Sequence, residues 1–431
     1  MSGPVPWLGN ERDAWLREIG SWAATALGDR DPGEVRFETV RARAWSTVLR
    51  VSAGGQAWYL KACAPGGRHE PALAAALSAD WPGGVPDPHA IDAERGWMLL
   101  PDLGATLRQR LDGADALDWW LRLLPRYGEM QRTVGRDAAR WRGLGVPDRS
   151  PAALPALLEA LLADDDALCA REAGGIAADE RTSLEALAPE FGRICADLDD
   201  SPCPAALEHG DLHDGNVFTP RDDPVISDWG DACISHPFVT LRVTLRALDA
   251  EPGSLRFERL RDAYLEPWTR DAPATALHGI FDAALWVACV RAALNWHRML
   301  AHGDAPSRAE WHDRIPAWLR RWRDTAPGAR TWRASCVAPR AAQSEIGDWH
   351  VPPGRLSCDW LEEHVLPDFS PRLISVRKSV QRRFLGSPRW TRCPLARIRR
   401  CVPLEAHDLR GHDPRCTGLA PGRGPGTEFI S

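Results

Sequence analysis

Lysine is almost missing from this chain. Of 53 basic residues in 431, only Lys61 and Lys378 are lysines. A lysine that persists against such an arginine bias points to a task that a planar guanidinium performs poorly, because the ammonium is a compact point charge on a thin stem. Asparagine is nearly as scarce, at Asn10, Asn216 and Asn295 only. The 11 cysteines include no C-x-x-C pair. That argues against a structural zinc site or a thioredoxin-like centre and leaves reduced, buried thiols. No apolar run reaches about 18 residues, which argues against a membrane span. The opening MSGPVPWLGNERDAW has no basic start followed by an apolar core, so no signal peptide is expected and a cytoplasmic protein is the default. A net charge of −6 argues against general nucleic-acid binding. Nothing in the sequence fixes an oligomeric state.

The most informative stretch is HGDLHDGNVFTPRDDPVISDWGD, residues 209–231. It holds Asp211, then Asn216, then Asp228 at the end of an apolar run. Phosphoryl transfer from a nucleoside triphosphate needs a carboxylate to orient a hydroxyl nucleophile. It also needs a carboxamide and a second carboxylate to hold Mg²⁺ against the phosphates. Asp211 is therefore the candidate base, and Asn216 and Asp228 the candidate metal ligands. His209 reads as a structural loop residue. His213 is a candidate to face the site, whereas Asp214 and Asp231 read as solvated loop charges. A metal site built from His209, His213 and His236 explains the neighbourhood less well.

Residues 35–63 alternate in three runs, with Gly54 and Gly55 between the last two, which predicts a three-stranded antiparallel meander. Lys61 falls near the end of the third strand. A helix is expected over about 68–79, with Glu70 in its first turn to pair with Lys61. Two more short strands are expected over 85–100. Lys61, Glu70, Ser46 and Leu100 form the candidate nucleotide site. Ser46 and Thr47 lie in a phosphate-covering turn at 43–47, and a hinge at 99–102 offers its backbone to the base. From Ala105 the chain reads as helical, with Pro125 expected to kink or break one helix. The expected fold class is α+β and bilobal: an N-lobe over 1–103, a helical C-lobe over 104–330, and a tail over 331–431. That tail carries 16 basic and 10 acidic residues without periodicity and reads as disordered. Its final GTEFIS resembles translated cloning-site sequence, and docking to an acidic partner is the other account of it.

HGDLHDGN at 209–216, ISDWGD at 226–231, YLKA at 59–62 and HEPAL at 69–73 together resemble the aminoglycoside phosphotransferase and choline kinase-like family, over roughly residues 35–325. The resemblance implies a protein kinase-like fold, Asp211 as catalytic base, Asn216 and Asp228 as Mg²⁺ ligands, and Lys61 on the phosphates of ATP or GTP. One departure is Thr240, where members of the family often carry an Asp. The acidic body and the 21 tryptophans suggest a cationic hydroxylated acceptor, such as an aminoglycoside or another antibiotic, lined by Trp286, Trp296, Asp313 and Trp318. A metabolic kinase for choline, a sugar or an amino-alcohol is the alternative. A nucleotide-binding pseudokinase that regulates a partner is the third reading.

Overall fold

The computed structural model describes residues 5–326 apart from 29, 112–114, 173 and 221–222, so the 331–431 tail and Lys378 lie outside the described residues. Helix α1 (Arg12–Ala26) precedes a meander of β1 (Arg36–Ala42), β2 (Ser46–Ala53) and β3 (Gln56–Cys63). Gly54 and Gly55 turn the β2–β3 hairpin with φ of +57° and +80°, a left-handed pair that side-chain-bearing residues resist. Helix α2 (Glu70–Asp80) follows, then β4 (Ala90–Asp92) and β5 (Trp97–Pro101). The five strands form one antiparallel sheet in the order β1-β2-β3-β5-β4. One face of the sheet packs Leu49, Val51, Leu60 and Leu99 against Trp15, Ile19 and Ala23 of α1. The opposite face is left for the cleft.

The second lobe is helical: α3 (Leu107–Leu111), α4 (Leu117–Thr133), α5 (Ala138–Gly143), α6 (Leu154–Leu162), α7 (Ala178–Glu185) and α8 (Ala188–Asp199). Four short strands interrupt it, β6 (Ala206–Glu208), β7 (Val217–Phe218), β8 (Val225–Ile226) and β9 (Cys233–Ser235). Helices α9 (Leu241–Ala247), α10 (Leu255–Leu265), α11 (Ala274–Leu300), α12 (Ala305–Trp311) and α13 (Arg314–Asp324) complete it. The architecture is bilobal α+β, as the sequence suggests.

Three local expectations need correction. Pro125 lies inside α4 and does not break it. Burial of Trp120, Leu123, Leu124 and Tyr127 outweighs the one missing N–H. The apolar stretch over 274–300 is long and apolar enough to cross a membrane, but 83% of its most apolar window is buried inside the protein. It serves as the central core helix, about 40 Å long at 1.5 Å per residue. The helical stretch after Ala105 is also interrupted within ERTSLEALAPEFGRICADL, residues 180–198, whose spacing suggests one helix but which forms parts of two, because Pro189 opens α8 and starts a new first turn.

The C-lobe core is aromatic. Phe238 has no exposed surface and lies edge-on to Tyr264 at 5.7 Å and Trp268 at 5.2 Å. Truncating it leaves a cavity among rigid rings that cannot collapse. Phe238→Ala should therefore cost about 3–5 kcal/mol, read as a lowered urea midpoint. An unchanged midpoint would show that this cluster does not hold the lobe together.

Candidate active site

The cleft face of the sheet is set by register. Val48 pairs with Arg41 on one side and with Lys61 on the other, and Lys61 pairs with Met98. Residues opposite each other share a face, so Arg41, Val48, Lys61 and Met98 form one cross-strand row. Arg41 reaches this row only because β1 slips register between Thr39 and Arg41, leaving Val40 as the extra, exposed residue. Without that bulge Val40 would occupy the row.

Lys61 is buried and held by three oxygens. Its Nζ lies 2.8 Å and 2.6 Å from the two oxygens of Glu70, and 2.5 Å from Asp228 Oδ1. Burial alone would discharge it. Asp228 and then Glu70 more than offset burial and hold its pKa above the ordinary lysine value. Glu70 opens α2 and also accepts from Cys63 Sγ at 3.2 Å. Burial pushes its carboxyl up, and Lys61 pulls it back. Asp228 Oδ2 takes Arg41 at 3.2 Å. Burial would raise the Asp228 carboxyl, but Lys61 and then Arg41 hold it well below the usual range.

Two short antiparallel strand pairs, one nested within the other in sequence, bring the remaining groups together. β6 pairs with β9, and β7 with β8 through Val217 opposite Ile226, so Asn216 and Asp228 emerge close to one another. His209 Nε2 donates to Ser227 O at 3.0 Å, and Ser227 N donates to Asn216 O at 2.9 Å. Asn216 Nδ2 donates to the Asp211 carbonyl at 2.9 Å and to Asp211 Oδ2 at 3.2 Å. Its amide oxygen is thereby turned outward as an acceptor. That oxygen and the Asp228 carboxylate are hard donors of the kind Mg²⁺ takes. Asp228 sits in the left-handed region, at φ 66°. Gly230 follows it because a Cβ there would lie 2.9 Å from Glu70 Oε2 and 3.6 Å from Lys61 Nζ.

Asp211 faces His213, whose Nε2 lies 3.2 Å from Oδ2. Gly215 N donates to His213 Nδ1 at 2.9 Å, which leaves the ring proton on Nε2 facing Asp211. Burial would raise Asp211, but His213 holds it below its ordinary value, and Asp211 in turn raises His213 despite burial. An ionised, partly exposed carboxylate at the head of the loop can accept a hydroxyl proton. Beneath it, buried Glu208 accepts from Gly210 N at 3.0 Å and from Arg291 at 2.8 Å, and Arg291 also donates to Gly210 O at 2.9 Å. Gly210 has φ +89°, and a Cβ on it would sit 2.2 Å from Asp231 O, so no side chain fits there.

Of the sequence candidates, Lys61, Glu70 and Asp228 meet in one network, and Asp211 and Asn216 in a second that shares the Ser227 backbone. Ser46 lies on the Lys61 face, opposite Cys63, with its carbonyl taken by Arg43 N. Thr47 does not serve the turn as expected. It points to the other face and donates to Arg41 O at 2.9 Å. Leu100 shares a small buried cluster with Ala74 and Met98 beside Lys61. The β4 pairing stops at Leu99, leaving the strand edge beyond it without a strand partner on that side. Asp214 and Asp231 are not solvated charges: Asp214 pairs with Arg108 at 2.6 Å, and Asp231 lies 3.5 Å from Arg298. Burial and the neighbouring Asp211 push the Asp231 carboxyl up to about 6. Trp286 is core, donating to Trp322 O at 2.8 Å, and Asp313 is exposed beyond the N-terminus of α13. Thr240 is buried against Tyr127 OH. His236 is buried apart from the loop, and no cluster of three or more metal-ligating His, Cys, Asp or Glu occurs among the described residues. Sequence reasoning missed Arg41, Glu208 and Arg291. Arginine is too common in this chain to stand out, and only the bulge and α11 bring these residues into place.

A family model described as the phosphotransferase enzyme family matches residues 28–278. No curated protein sequence matches the chain. Among solved structures, an ethanolamine kinase of Plasmodium vivax superposes with a TM-score of 0.51 at 11% identity, covering 73% of this chain and 90% of its own. A choline kinase of Cryptosporidium parvum gives 0.51 at 10% identity, covering 74% and 97%. At such identities the likeness is one of fold.

Two outcomes follow from the buried charges. Glu208→Leu leaves Arg291 buried and unpaired, which should cost about 3–5 kcal/mol, whereas Glu208→Leu with Arg291→Met should recover much of it. Urea melts of both variants decide this, and a double variant no better than the single one would refute the pairing. Burial alone holds His236 down to about 3. Its folded-state value lies below its unfolded value of about 6.5, so the unfolded chain binds the extra proton. Its contribution to stability is complete above that value and is lost as pH falls from about 6.5 towards 3. The urea midpoint should drop over this window, less steeply in His236→Gln. Equal slopes in the two proteins would remove His236 from the account.

Proposed function

The chain belongs to the phosphotransferase enzyme family, and on that premise we propose an ATP-dependent O-phosphotransferase that moves a γ-phosphoryl group to a hydroxyl of a small molecule. The observation that carries this reading is Lys61, buried between Glu70 and Asp228, on the lobe facing Asp211 and Asn216. A regulator that only binds nucleotide has no use for an ionised Asp211 at the loop head, so the pseudokinase reading is the weaker one.

In this reading the purine lies against Met98 and Leu100 and takes hydrogen bonds from the backbone beyond Leu99. Lys61 and Arg41 meet the phosphates, and the same contacts serve GTP. Asp228 and the Asn216 amide oxygen would hold Mg²⁺, which supplies neutralisation of phosphate charge when bound. Asp211 accepts a hydrogen bond from the acceptor hydroxyl and so turns a lone pair of the hydroxyl oxygen towards the γ-phosphorus. The new P–O bond forms as the bond to the β-phosphate oxygen breaks. ADP leaves, and the hydroxyl proton passes to Asp211. His213 keeps that carboxylate ionised and oriented until then.

Charge at the cleft bears on the acceptor. Asp214 and Asp231, which could greet a polyamine, are engaged by Arg108 and Arg298. An aminoglycoside-like cation is therefore the weaker acceptor reading, and a metabolic hydroxyl compound is the one the cleft favours.

Asp211→Ala should lower turnover by about 10²–10⁴-fold while nucleotide affinity stays nearly constant. ADP release over an acceptor panel, with calorimetry for nucleotide binding, tests this. Equal turnover in the variant sinks the assignment. Chelation of divalent ions should abolish ADP release, and Mg²⁺ should restore it.

A further inference from the structure

Beside Asp211 stands a group of four arginines, three of which have no carboxylate within 4 Å among the described residues. Helix α9, which follows β9, is tied to the Asp211 loop, since Thr244 Oγ1 donates to Leu212 O at 2.7 Å. Arg242 and Arg246 lie one turn apart on α9, on either side of Thr244. Arg314 and Arg321 lie two turns apart on one face of α13. Arg246 stands over the Trp318 ring at 5.5 Å, which joins the two helices. Arg314 stands over Trp311 at 5.0 Å and Trp296 at 5.7 Å. Both rings meet Trp45, in the turn expected to cover the phosphates, at 5.8 Å. The arginine row therefore runs from the side of Asp211 to the tip of the phosphate turn.

These four differ from their neighbours. Arg320 and Arg323, on the same helix, both pair with Glu180 at 2.8 Å. Arg291 and Arg298 are paired as well. Among the described residues no carboxylate lies within 4 Å of Arg242, Arg246 or Arg321, and Arg314 has only the exposed Asp313 at 3.7 Å. Arg242 Nε and Nη2 and Arg314 Nε are buried without a hydrogen-bond partner. Burial and then the neighbouring guanidiniums push Arg242 and Arg246 down; Glu251 and Asp211 are the carboxylates that oppose this. Residues 1–330 carry more acid than base, so carboxylates were not in short supply. Arg246 and Arg321 are exposed and open to a ligand, whereas Arg242 is half-buried beside them with Nε and Nη2 unpartnered, a cost in free energy that a bound oxyanion recovers; the guanidinium fork fits carboxylate and phosphate alike.

We propose that Arg242, Arg246, Arg314 and Arg321 form the acceptor subsite, and that the acceptor is a hydroxylated small anion bearing a carboxylate or phosphate ester. This deepens the phosphotransferase reading and rests on it. This reading sets aside the cationic acceptor suggested by net charge, because charges within one Debye length of a ligand, roughly 8 Å, outweigh a total spread over the whole surface.

The full chain is assayed for ADP release with glycerate and glycerol 3-phosphate on one arm, and with choline, ethanolamine and kanamycin on the other. Calorimetry with the same five compounds on protein saturated with Mg²⁺ and a non-hydrolysable ATP analogue gives binding without turnover. The anions are expected to bind, and the arm that responds tells carboxylate from phosphate. Arg246→Ala and Arg242→Ala should each lower kcat/KM for the anion about tenfold or more, with the KM for ATP within about twofold. Arg246→Lys should restore part of the loss, and thermal melts confirm that each variant is folded. Binding of the amines alone, or of none of the five compounds, overturns the proposal. So does a rise in the KM for ATP without loss of anion affinity, since the arginines would then serve the nucleotide. Turnover that survives in Asp211→Ala strikes the phosphotransfer reading instead and leaves the anion titrations standing.

Discussion

One buried ammonium organises this molecule. Lys61 comes from the central strand of the N-lobe sheet, Glu70 from the helix that follows it, and Asp228 from the turn of the other lobe. An ammonium taken out of water is tolerated only with close anionic partners, and here both must be present. The pairing makes the position of α2 against the sheet, and of the Asp228 turn against both, a single electrostatic condition. Lysine satisfies it because its thin stem passes between packed strands and ends in a point charge. A guanidinium in the same place would be too broad for the gap that Gly230 leaves open.

The loop that carries Asp211 is held by a different principle. It lies among two nested strand pairs whose strands are only two or three residues long, too short to be stable alone. Their stability comes from below, where Arg291 on the core helix binds Glu208 and the Gly210 carbonyl. From above, His209 and Asn216 tie the loop to the strand that leads to Asp228. The site is thus rigid where charge must be placed, and the placing is done by buried polar groups that are costly to leave unmatched.

Charge also shows the limit of composition as a guide. The body of the chain is acidic, yet many of its carboxylates are spent on ion pairs with the abundant arginines. What is left over after that pairing on α9 and α13 is positive: Arg242, Arg246 and Arg321 have no carboxylate within 4 Å among the described residues. A net total carries no information about which side chains find partners.

Much of the architecture was legible beforehand. Period-two alternation and the Gly54–Gly55 turn marked the meander, and the rare Lys61, Asn216 and the spacing of Asp211 and Asp228 marked the site. These are local signals: strand period, turn chemistry and motif spacing depend on residues near in sequence. The bulge that turns Arg41 into the cleft, the passage of α4 through Pro125, the burial of the membrane-like α11 and the Glu208–Arg291 brace were not legible. Each depends on which distant surface a residue packs against. The order of the elements and the set of candidate groups were therefore determined by the sequence alone, whereas the pairing of charges was decided only when distant helices were packed together.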